Sequence, residues 1–296
     1  MWIPSRPCAM SKGGRRAMGG ILLAAALAGA FVWLLYAFQE ALIYHPLPSR
    51  IAVRDELPAG VEALQYTIEG PRRERLRQES YLALPTGSAG SKGIRVAVLF
   101  HGNASSALDW PEAAGYLRER GFHLLMVEYP GYGRGEGEPS PESIELASRE
   151  AFRALAERLE VPEQELERRT VAIGHSLGSA AALLLASDRD LQQVILLAPF
   201  TSSMDLARRR VGWPLCLLLR HRYDNRSLLA KIVDRQRPPE VLIVHGARDD
   251  IIPPGMSRRL AEISPAISRV ELPEADHVTV VDTSREAILD ALSDAK

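Results

Sequence analysis

Short apolar runs that alternate with helical patterns constrain the fold of this chain more than any other feature of its sequence. The runs are rich in Val, Ile and Leu and are continuous, which is the pattern of strands buried on both faces of a sheet. Strands that alternate with helices form right-handed βαβ units, so the sequence predicts an α/β domain with a mainly parallel central sheet flanked by helices. The six runs are 95–100, 123–129, 170–174, 193–198, 240–246 and 269–273.

Helical patterns and two further strand candidates complete the predicted domain. Ser140 is a predicted N-cap before a proline, and Thr283 with Glu286 has the spacing of a capping box. The interval 200–239 is too long for a plain crossover, so we expect a small helical cap insertion there. Helices are predicted over 110–120, 141–160, 176–187, 254–263 and 283–292, and antiparallel edge strands over 61–69 and 75–84.

The N-terminal region differs from the rest because residues 17–38 form a run of 22 uncharged, mostly apolar positions. As a helix this run extends about 33 Å, enough to cross the roughly 30 Å hydrocarbon core of a bilayer. Residues 1–16 carry four basic and no acidic side chains. We therefore predict a single-pass, uncleaved transmembrane signal anchor, with a cytoplasmic N-terminus and an extracytoplasmic remainder. Residues 39–60 are then a linker, and 61–296 form the folded domain.

Two alternatives to a signal anchor stay open at this point. Ala28-Gly29-Ala30 resembles the cleavage site of a signal peptide, although the apolar run continues past it to Phe38. The run also fits a buried helix of a soluble domain. In the anchored arrangement Cys8 and Cys216 lie on opposite sides of the membrane and cannot pair.

Composition excludes several classes of protein. The chain is 46% hydrophobic and 25% charged, which is the balance of a globular and not of a disordered protein. Its net charge of −1 gives no electrostatic reason to expect a nucleic acid partner. Two cysteines cannot build a disulfide framework, and no Cys/His cluster has the spacing of metal ligands, so neither a metal nor a cofactor is expected.

Residues 174–178, Gly-His-Ser-Leu-Gly, connect a predicted strand directly to a predicted helix. In an open parallel sheet, ligands collect at the carboxyl ends of the strands. The two glycines permit a sharp bend that presents a serine hydroxyl there, beside a helix N-terminus whose dipole favours negative charge. The alternative is a tight turn that merely contains a hydroxyl. The position between strand and helix favours Ser176 as a nucleophile.

A serine nucleophile needs a general base, and the base needs a carboxylate that orients it. Asp249 and Asp250 follow the strand 240–246, and His277 precedes the last helix. The chain order Ser, Asp, His fits this type of site, so His277 is the predicted base. Three other histidines compete for that role but also have structural interpretations at the elbow or at strand ends. They are His101, His175 and His245.

The negative oxygen that forms during attack on a carbonyl needs preorganised backbone donors. One predicted donor is the amide of Leu177, the residue after the nucleophile. The other is expected in the loop after strand 95–100, where Asn103 is the first candidate and Ala104 the second. The alternative interpretation of this loop is an ordinary turn that contains Gly102.

Motifs along the chain resemble, in their order, those of the α/β-hydrolase superfamily. More narrowly, the chain resembles the membrane-anchored, single-pass serine hydrolases of the abhydrolase-domain type. The resemblance covers roughly residues 39–292 and implies an α/β-hydrolase fold with Ser176 as nucleophile, His277 as base and Asp249 as acid. Asp249 is preferred to Asp250 because it stands three residues after a glycine, as the acid of the family does. The motifs are FHGNASS, VEYPGYGRGEGEPS, GHSLGSAAA, LAPFTSS, HGARDDIIPP and EADH, and QEALIYHP resembles the linker.

The residues and the resemblance together predict a serine hydrolase that cleaves small-molecule or lipid esters through an acyl-enzyme. Thioesterase, amidase or peptidase activity on the same residues stays open. A non-catalytic, membrane-tethered binding module is the alternative from a different class of protein. Arginines flank an apolar segment of the insertion that contains Trp213, Leu215 and Leu217. This segment either packs over the site or contacts a lipid surface.

Overall fold

One eight-stranded sheet lies at the centre of the protein in the computed structural model, which describes residues 12–46, 57–86 and 93–294. All six apolar runs and both further candidates are strands, with ends that differ from the predicted ones by at most two residues. The strands are β1 (Val61–Glu69), β2 (Arg75–Ala83), β3 (Arg95–Phe100), β4 (Phe122–Val127), β5 (Thr170–His175), β6 (Gln193–Leu197), β7 (Glu240–Gly246) and β8 (Ile267–Leu272).

The sheet is parallel except at one side. Its order is β1-β2-β4-β3-β5-β6-β7-β8, and only the pairs β1–β2 and β2–β4 within it are antiparallel. This confirms the predicted mainly parallel sheet. β1 is an edge strand, as expected. β2 is not, because Tyr81, Leu82 and Ala83 pair with β4.

Helices connect the strands, and one of the two predicted capping sites is present. Ser140 Oγ accepts a hydrogen bond from the Ser143 amide at 3.0 Å, as expected of an N-cap. The predicted capping box at Thr283 is wrong, because this residue ends a short separate helix and its hydroxyl donates to the Thr279 carbonyl at 2.7 Å. The helices are α1 (Lys12–Ala37), α2 (Gln39–Ile43), α3 (Pro111–Glu119), α4 (Pro141–Leu159), α5 (Glu163–Glu167), α6 (Leu177–Asp188), α7 (Ser203–Val211), α8 (Asn225–Val233), α9 (Gly255–Ala261), α10 (Val280–Thr283) and α11 (Arg285–Asp294), with a 3₁₀ turn at Leu215–Leu218.

Two apolar layers cover the two faces of the sheet. Along β3, Val96, Val98 and Phe100 belong to one layer, whereas Ala97 and Leu99 belong to the other. Helices α4, α6 and α8 contribute to the first layer, and α3 and α11 to the second. Because both faces are covered, the strands carry apolar residues at consecutive positions, which explains the unbroken runs in the sequence.

The predicted cap insertion, 200–239, divides into two parts. Its second part is α8, whose Leu229 and Ile232 are fully buried, and α8 is the crossover helix between β6 and β7. Its first part, residues 203–219, comprises α7 and the 3₁₀ turn. We call this first part the cap segment, because several of its side chains border the pocket described below.

Helix α1 contains an 18-residue window, Gly20–Ala37, that is long and apolar enough to cross a membrane. None of this window is buried among the described residues, which argues against a buried helix in a soluble domain. By length and composition, α1 fits a membrane anchor and a signal sequence equally well. Parts of the predicted segments lie outside the described residues. These parts are 1–11 with Cys8, 47–56 of the linker, and 87–92 and 295–296 of the domain.

Candidate active site

Ser176 lies at a strained turn between β5 and α6. Its φ of +55° and ψ of −115° fall in a region that residues other than glycine rarely adopt. The flanking glycines allow this turn. A Cβ on Gly174 would lie 2.1 Å from the carbonyl oxygen of Gly178, and a Cβ on Gly178 would lie 2.0 Å from that of Phe100. The turn holds the serine at the carboxyl end of β5 and beside the N-terminus of α6, which is the geometry of a nucleophile elbow.

Three side chains from three strand ends form one hydrogen-bonded chain. Ser176 Oγ lies 2.9 Å from His277 Nε2, and His277 Nδ1 lies 2.7 Å from Asp249 Oδ2. Asp249 follows β7 and His277 follows β8, so parallel pairing places both at the edge where β5 ends. All three residues are at most 9% exposed, whereas Asp250 lies on the surface. The structure therefore brings together the residues predicted as nucleophile, base and acid.

The Asp249 carboxylate is held by donors on both of its oxygens. The amides of Ile251 and Ile252 donate to Oδ1 at 3.0 and 2.8 Å, and His245 Nε2 lies 3.2 Å from Oδ2. Burial raises the pKa of this carboxyl group, but hydrogen bonds from His245, His277 and the Ile252 amide outweigh burial and hold the pKa well below its ordinary value. The carboxylate that faces His277 is therefore ionised at neutral pH.

The two amides predicted to bind an oxyanion belong to residues that border the same pocket as the serine. Asn103 and Leu177 both line this pocket. Within the described ranges, neither amide has a hydrogen-bond partner in the protein, so both N–H groups are available to a substrate oxygen. The amide of Ala104, the second candidate, instead donates to Asn103 Oδ1 at 3.1 Å. The geometry therefore favours Asn103 over Ala104.

The side chain of Asn103 has contacts that our sequence reasoning missed. Its Nδ2 donates to the Ile43 carbonyl at 2.6 Å. Its Oδ1 accepts from the His45 amide at 2.9 Å and from the Tyr132 hydroxyl at 2.7 Å. Ile43 ends α2, so a part of the predicted linker fixes the loop that presents the Asn103 amide. The sequence carries no local signal for this contact, because Asn103 and Ile43 are 60 positions apart.

Replacing Asn103 with alanine is expected to lower kcat/KM for a short soluble ester by about 10- to 100-fold. The loop loses the hydrogen bonds of the Asn103 side chain, so the backbone amide of residue 103 shifts relative to the pocket at Ser176. Kinetics with nitrophenyl butyrate measure this effect. Asn103→Asp keeps the acceptor for His45 and Tyr132 but loses the donor to Ile43, so we expect a smaller loss. Wild-type kinetics in Asn103→Ala would rule out this positioning role.

Two of the competing histidines have other partners. His101 Nε2 lies 2.8 Å from Glu128 Oε1, with both side chains at most 1% exposed, and the His101 ring stacks on Tyr129 with 4.0 Å between ring centroids. His175 Nε2 donates to the carbonyl oxygen of His277 at 2.7 Å. The first pair fixes His101, two residues before Asn103, and the second holds the backbone of the predicted base.

His175 is expected to make the protein less stable in mild acid. Burial and the neighbouring His277 lower the pKa of His175 from 6.5 to about 4. The unfolded chain therefore binds a proton that the folded chain does not bind between these two pH values, and stability falls as the pH drops through this window. We expect about 1–2 kcal/mol of unfolding free energy to be lost between pH 7 and pH 5 through this residue.

The variant His175→Gln removes the titrating group but keeps a side-chain N–H for the His277 carbonyl. Urea unfolding in detergent at pH 7 and pH 5 should show a smaller loss for this variant than for the wild type. An equal loss in both proteins would assign the acid sensitivity to other groups.

A pocket of about 420 Å³ opens in front of Ser176. Among the described residues, no group of three or more His, Cys, Asp or Glu side chains is arranged to hold a metal ion.

The candidate site combines an aligned hydroxyl, imidazole and carboxylate, two free amides and a mainly apolar pocket. Apolar wall residues are Leu42, Ile43, Leu177, Phe200, Leu206, Ala207, Leu219, Ile251 and Ile252.

Comparison with known proteins shows what this chain is similar to. A model of the alpha/beta hydrolase family matches residues 97–232. The uncharacterized protein Rv2307c of Mycobacterium tuberculosis is 28% identical over 283 residues, which cover 94% of each chain. Protein bem46 of Schizosaccharomyces pombe is 28% identical over 74% of this chain and 73% of its own. The crystal structure of the Pyrococcus furiosus esterase Pf2001 superposes with a TM-score of 0.61, covering 84% of this chain and 95% of that chain at 14% identity. The chain therefore has the α/β-hydrolase fold and is similar in sequence to the α/β-hydrolase family over residues 97–232.

Proposed function

We propose that this chain is a serine hydrolase that cleaves carboxylic esters, with Ser176 as nucleophile, His277 as general base and Asp249 as the orienting acid. The hydrogen-bonded chain of these three side chains is the observation that carries the proposal. Ser176 lies at a strained turn, and Ser176 and His277 both border an apolar pocket. Strain at one residue costs on the order of 1–3 kcal/mol, which a fold retains where function requires the conformation.

In acylation, Ser176 Oγ attacks the carbonyl carbon of the ester while His277 Nε2 takes the hydroxyl proton. The amides of Asn103 and Leu177 donate to the carbonyl oxygen as it becomes negative. The protonated imidazole then gives its proton to the alcohol oxygen as the carbon–oxygen bond breaks, and an acyl-serine remains. Asp249 accepts the Nδ1–H throughout and stabilises the imidazolium.

In deacylation, a water molecule takes the place of the alcohol. His277 Nε2 removes one proton from the water as its oxygen attacks the acyl carbon. The same proton returns to Ser176 Oγ as the carboxylic acid leaves. Each cycle therefore consumes one ester and one water and restores every side chain to its starting state.

Ester cleavage is favoured over the other reactions open to the same residues. The apolar pocket suits the acyl part of an ester, and the Pyrococcus furiosus protein of the same fold is an esterase. A serine nucleophile argues against dehalogenase and epoxide hydrolase chemistry, which uses a carboxylate. A pure binding module has no need for a strained serine aligned with a base and an acid. Thioesters remain the second candidate, since the same steps cleave them.

We further propose that α1 is an uncleaved signal anchor, with a cytoplasmic N-terminus and an extracytoplasmic catalytic domain. Its apolar residues continue past Ala30 to the end of the helix. Its last turn also contacts the domain, because the Arg220 guanidinium lies 5.0 Å from the centre of the Tyr36 ring. Intact-mass measurement of protein from membranes tests retention of α1. Loss of the first 30 residues would show a cleaved signal sequence instead.

Hydrolysis of nitrophenyl esters, from acetate to palmitate, by the full chain in detergent tests the proposed activity. A fluorophosphonate should inactivate the enzyme and leave its adduct on Ser176, as mapped by peptide mass. Absence of both hydrolysis and labelling would favour the binding module.

A further inference from the structure

We infer that the substrate is a long-chain acyl ester held in the same membrane as the enzyme, and that its acyl chain enters the active site sideways, between α1 and the cap segment. This inference rests on the proposed function, because it takes Ser176 as the attacking group. It depends on three observations: two pockets that share five wall residues, a short helix that is hydrogen-bonded beside the second pocket, and exposed apolar side chains next to that pocket's wall residues in the chain.

A second pocket of about 170 Å³ borders the active-site pocket, with which it shares five wall residues. Its walls include Leu35 from α1 and Leu215 from the cap segment, and they are almost entirely apolar. One pocket therefore reaches the serine and its neighbour reaches Leu35 near the end of α1, so an acyl chain that occupied both would extend from the serine to that helix. The residues that border both pockets are Leu42, Ile43, Ala207, Arg210 and Leu219.

The short helix after α1 is hydrogen-bonded beside the second pocket. Gln39 Oε1 accepts from the Arg220 amide at 2.7 Å, and Gln39 Nε2 donates to the Leu218 carbonyl at 3.2 Å. The Arg220 guanidinium also pairs with Glu40 at 2.8 Å. Gln39 is only 6% exposed, so these bonds are shielded from water. These contacts fix the position of the second pocket relative to the end of α1.

Exposed apolar side chains stand next, along the chain, to residues that line the second pocket. Trp213 is 74% exposed and Leu217 is 56% exposed on the cap segment, and Phe38 is 58% exposed after α1. These side chains and the exposed apolar residues of α1 are of the kind that marks a membrane contact. Cations beside such side chains keep their charge in water or at anionic lipid headgroups. The exposed cations here are Arg208, Arg209, Arg210, Arg220 and Arg222.

These observations define the substrate by its acyl part. A short acyl group fills only the pocket at Ser176, whereas a long chain extends past Ala207 into the second pocket and toward the bilayer. Only a long chain buries additional methylenes in the second pocket, and each buried methylene favours binding. A membrane lipid and a lipid-modified protein both supply such an ester, so the acyl chain is the shared chemistry.

The full chain reconstituted in phosphatidylcholine vesicles tests the inference. A diacylglycerol with palmitoyl chains, which stays in its vesicle during the assay, is placed either in the vesicles that carry the enzyme or in separate ones. We expect hydrolysis only when ester and enzyme share a vesicle. A palmitoylated peptide ester that is inserted in the same vesicles forms a second arm, and the faster arm identifies the source of the acyl chain.

Ala207→Phe should fill space at the wall that the two pockets share. We expect the ratio of kcat/KM for palmitoyl ester to that for soluble butyryl ester to fall about tenfold or more. Val211→Trp, which narrows the second pocket from a partly exposed position, should lower the same ratio if Ala207→Phe fails to fold. Ala230→Phe is the matched control, because Ala230 is exposed on α8 and should leave the ratio unchanged.

The outcomes separate this inference from the proposed function. Equal hydrolysis in shared and separate vesicles, or an unchanged ratio in Ala207→Phe and Val211→Trp, would overturn sideways entry while Ser176-dependent butyrate hydrolysis still supports the esterase. Absence of butyrate hydrolysis in the wild type would remove the proposed function itself.

Discussion

Replacing Ser176 with alanine is expected to lower kcat for ester hydrolysis by about a million-fold, to the level that the oxyanion donors and substrate binding maintain without a nucleophile. The loss is large because Ser176, His277 and Asp249 act as one unit, and no neighbouring hydroxyl occupies the same place in the turn. A burst-phase assay with nitrophenyl butyrate should lose both the burst and the steady rate, and fluorophosphonate labelling should disappear.

Ser187→Ala provides the matched control for this variant. Ser187 lies near the other end of α6, and its hydroxyl donates to the Leu184 carbonyl at 2.9 Å. We expect wild-type kinetics and labelling from it. Substantial ester hydrolysis by Ser176→Ala, at more than about a hundredth of the wild-type rate, would refute the acyl-enzyme mechanism, since removal of a triad nucleophile leaves far less.

The second large effect is expected from Asp249→Asn, which should lower kcat by about ten-thousand-fold at neutral pH. The substitution keeps the size of the side chain, and its amide oxygen can still accept from the Ile251 and Ile252 amides. What it removes is the negative charge that faces His277 Nδ1 at 2.7 Å. An amide N–H at that place favours the tautomer with the proton on Nε2, and such an imidazole cannot accept the serine proton.

Asp250→Asn tests whether this effect belongs to the site. Asp250 is the adjacent residue and lies on the surface, so we expect it to keep nearly full activity. Thermal unfolding followed by circular dichroism checks that Asp249→Asn is folded. If Asp250→Asn proved the more damaging variant, the assignment of the acid would be wrong.

The pKa of Asp249 also has a consequence for stability. Because its folded pKa lies below the ordinary value, this carboxylate stabilises the fold above the ordinary pKa of aspartate, and the contribution is lost as the pH falls through the folded pKa. His175 acts in a higher window, between about 6.5 and 4. The two groups therefore weaken the protein at different stages of acidification.

The sequence predicted elements well where the signal is local. Apolar runs located six of the eight strands of the central sheet, and the spacing of Gly174, Ser176 and Gly178 located the bend between β5 and α6. Two predictions from the sequence were wrong. β2 was expected at an edge of the sheet but pairs with both β1 and β4, and Thr283 was expected to cap a helix but is the last residue of α10. Strand partners and helix breaks depend on what packs beside a segment, and this information is spread over distant residues.

The contacts of residues 39–46 show the same limit more clearly. The sequence suggests a linker there, whereas the structure places Gln39 against the cap segment and Ile43 against Asn103. Each of these hydrogen bonds joins groups that are 60 or more positions apart, so no local pattern encodes them.

What the sequence by itself determined is therefore the order of strands and helices, the residues that follow the strands, and an apolar N-terminal helix long enough to cross a membrane. These features depend on periodicity, on the conformational freedom of glycine and on the length of an uncharged run, all of which are local properties. Only the tertiary structure decided which histidine meets Ser176, which of two adjacent aspartates meets that histidine, and that the segment after α1 forms a wall of the pocket. Those outcomes depend on parallel pairing and burial, which bring side chains from distant parts of the chain within hydrogen-bond distance.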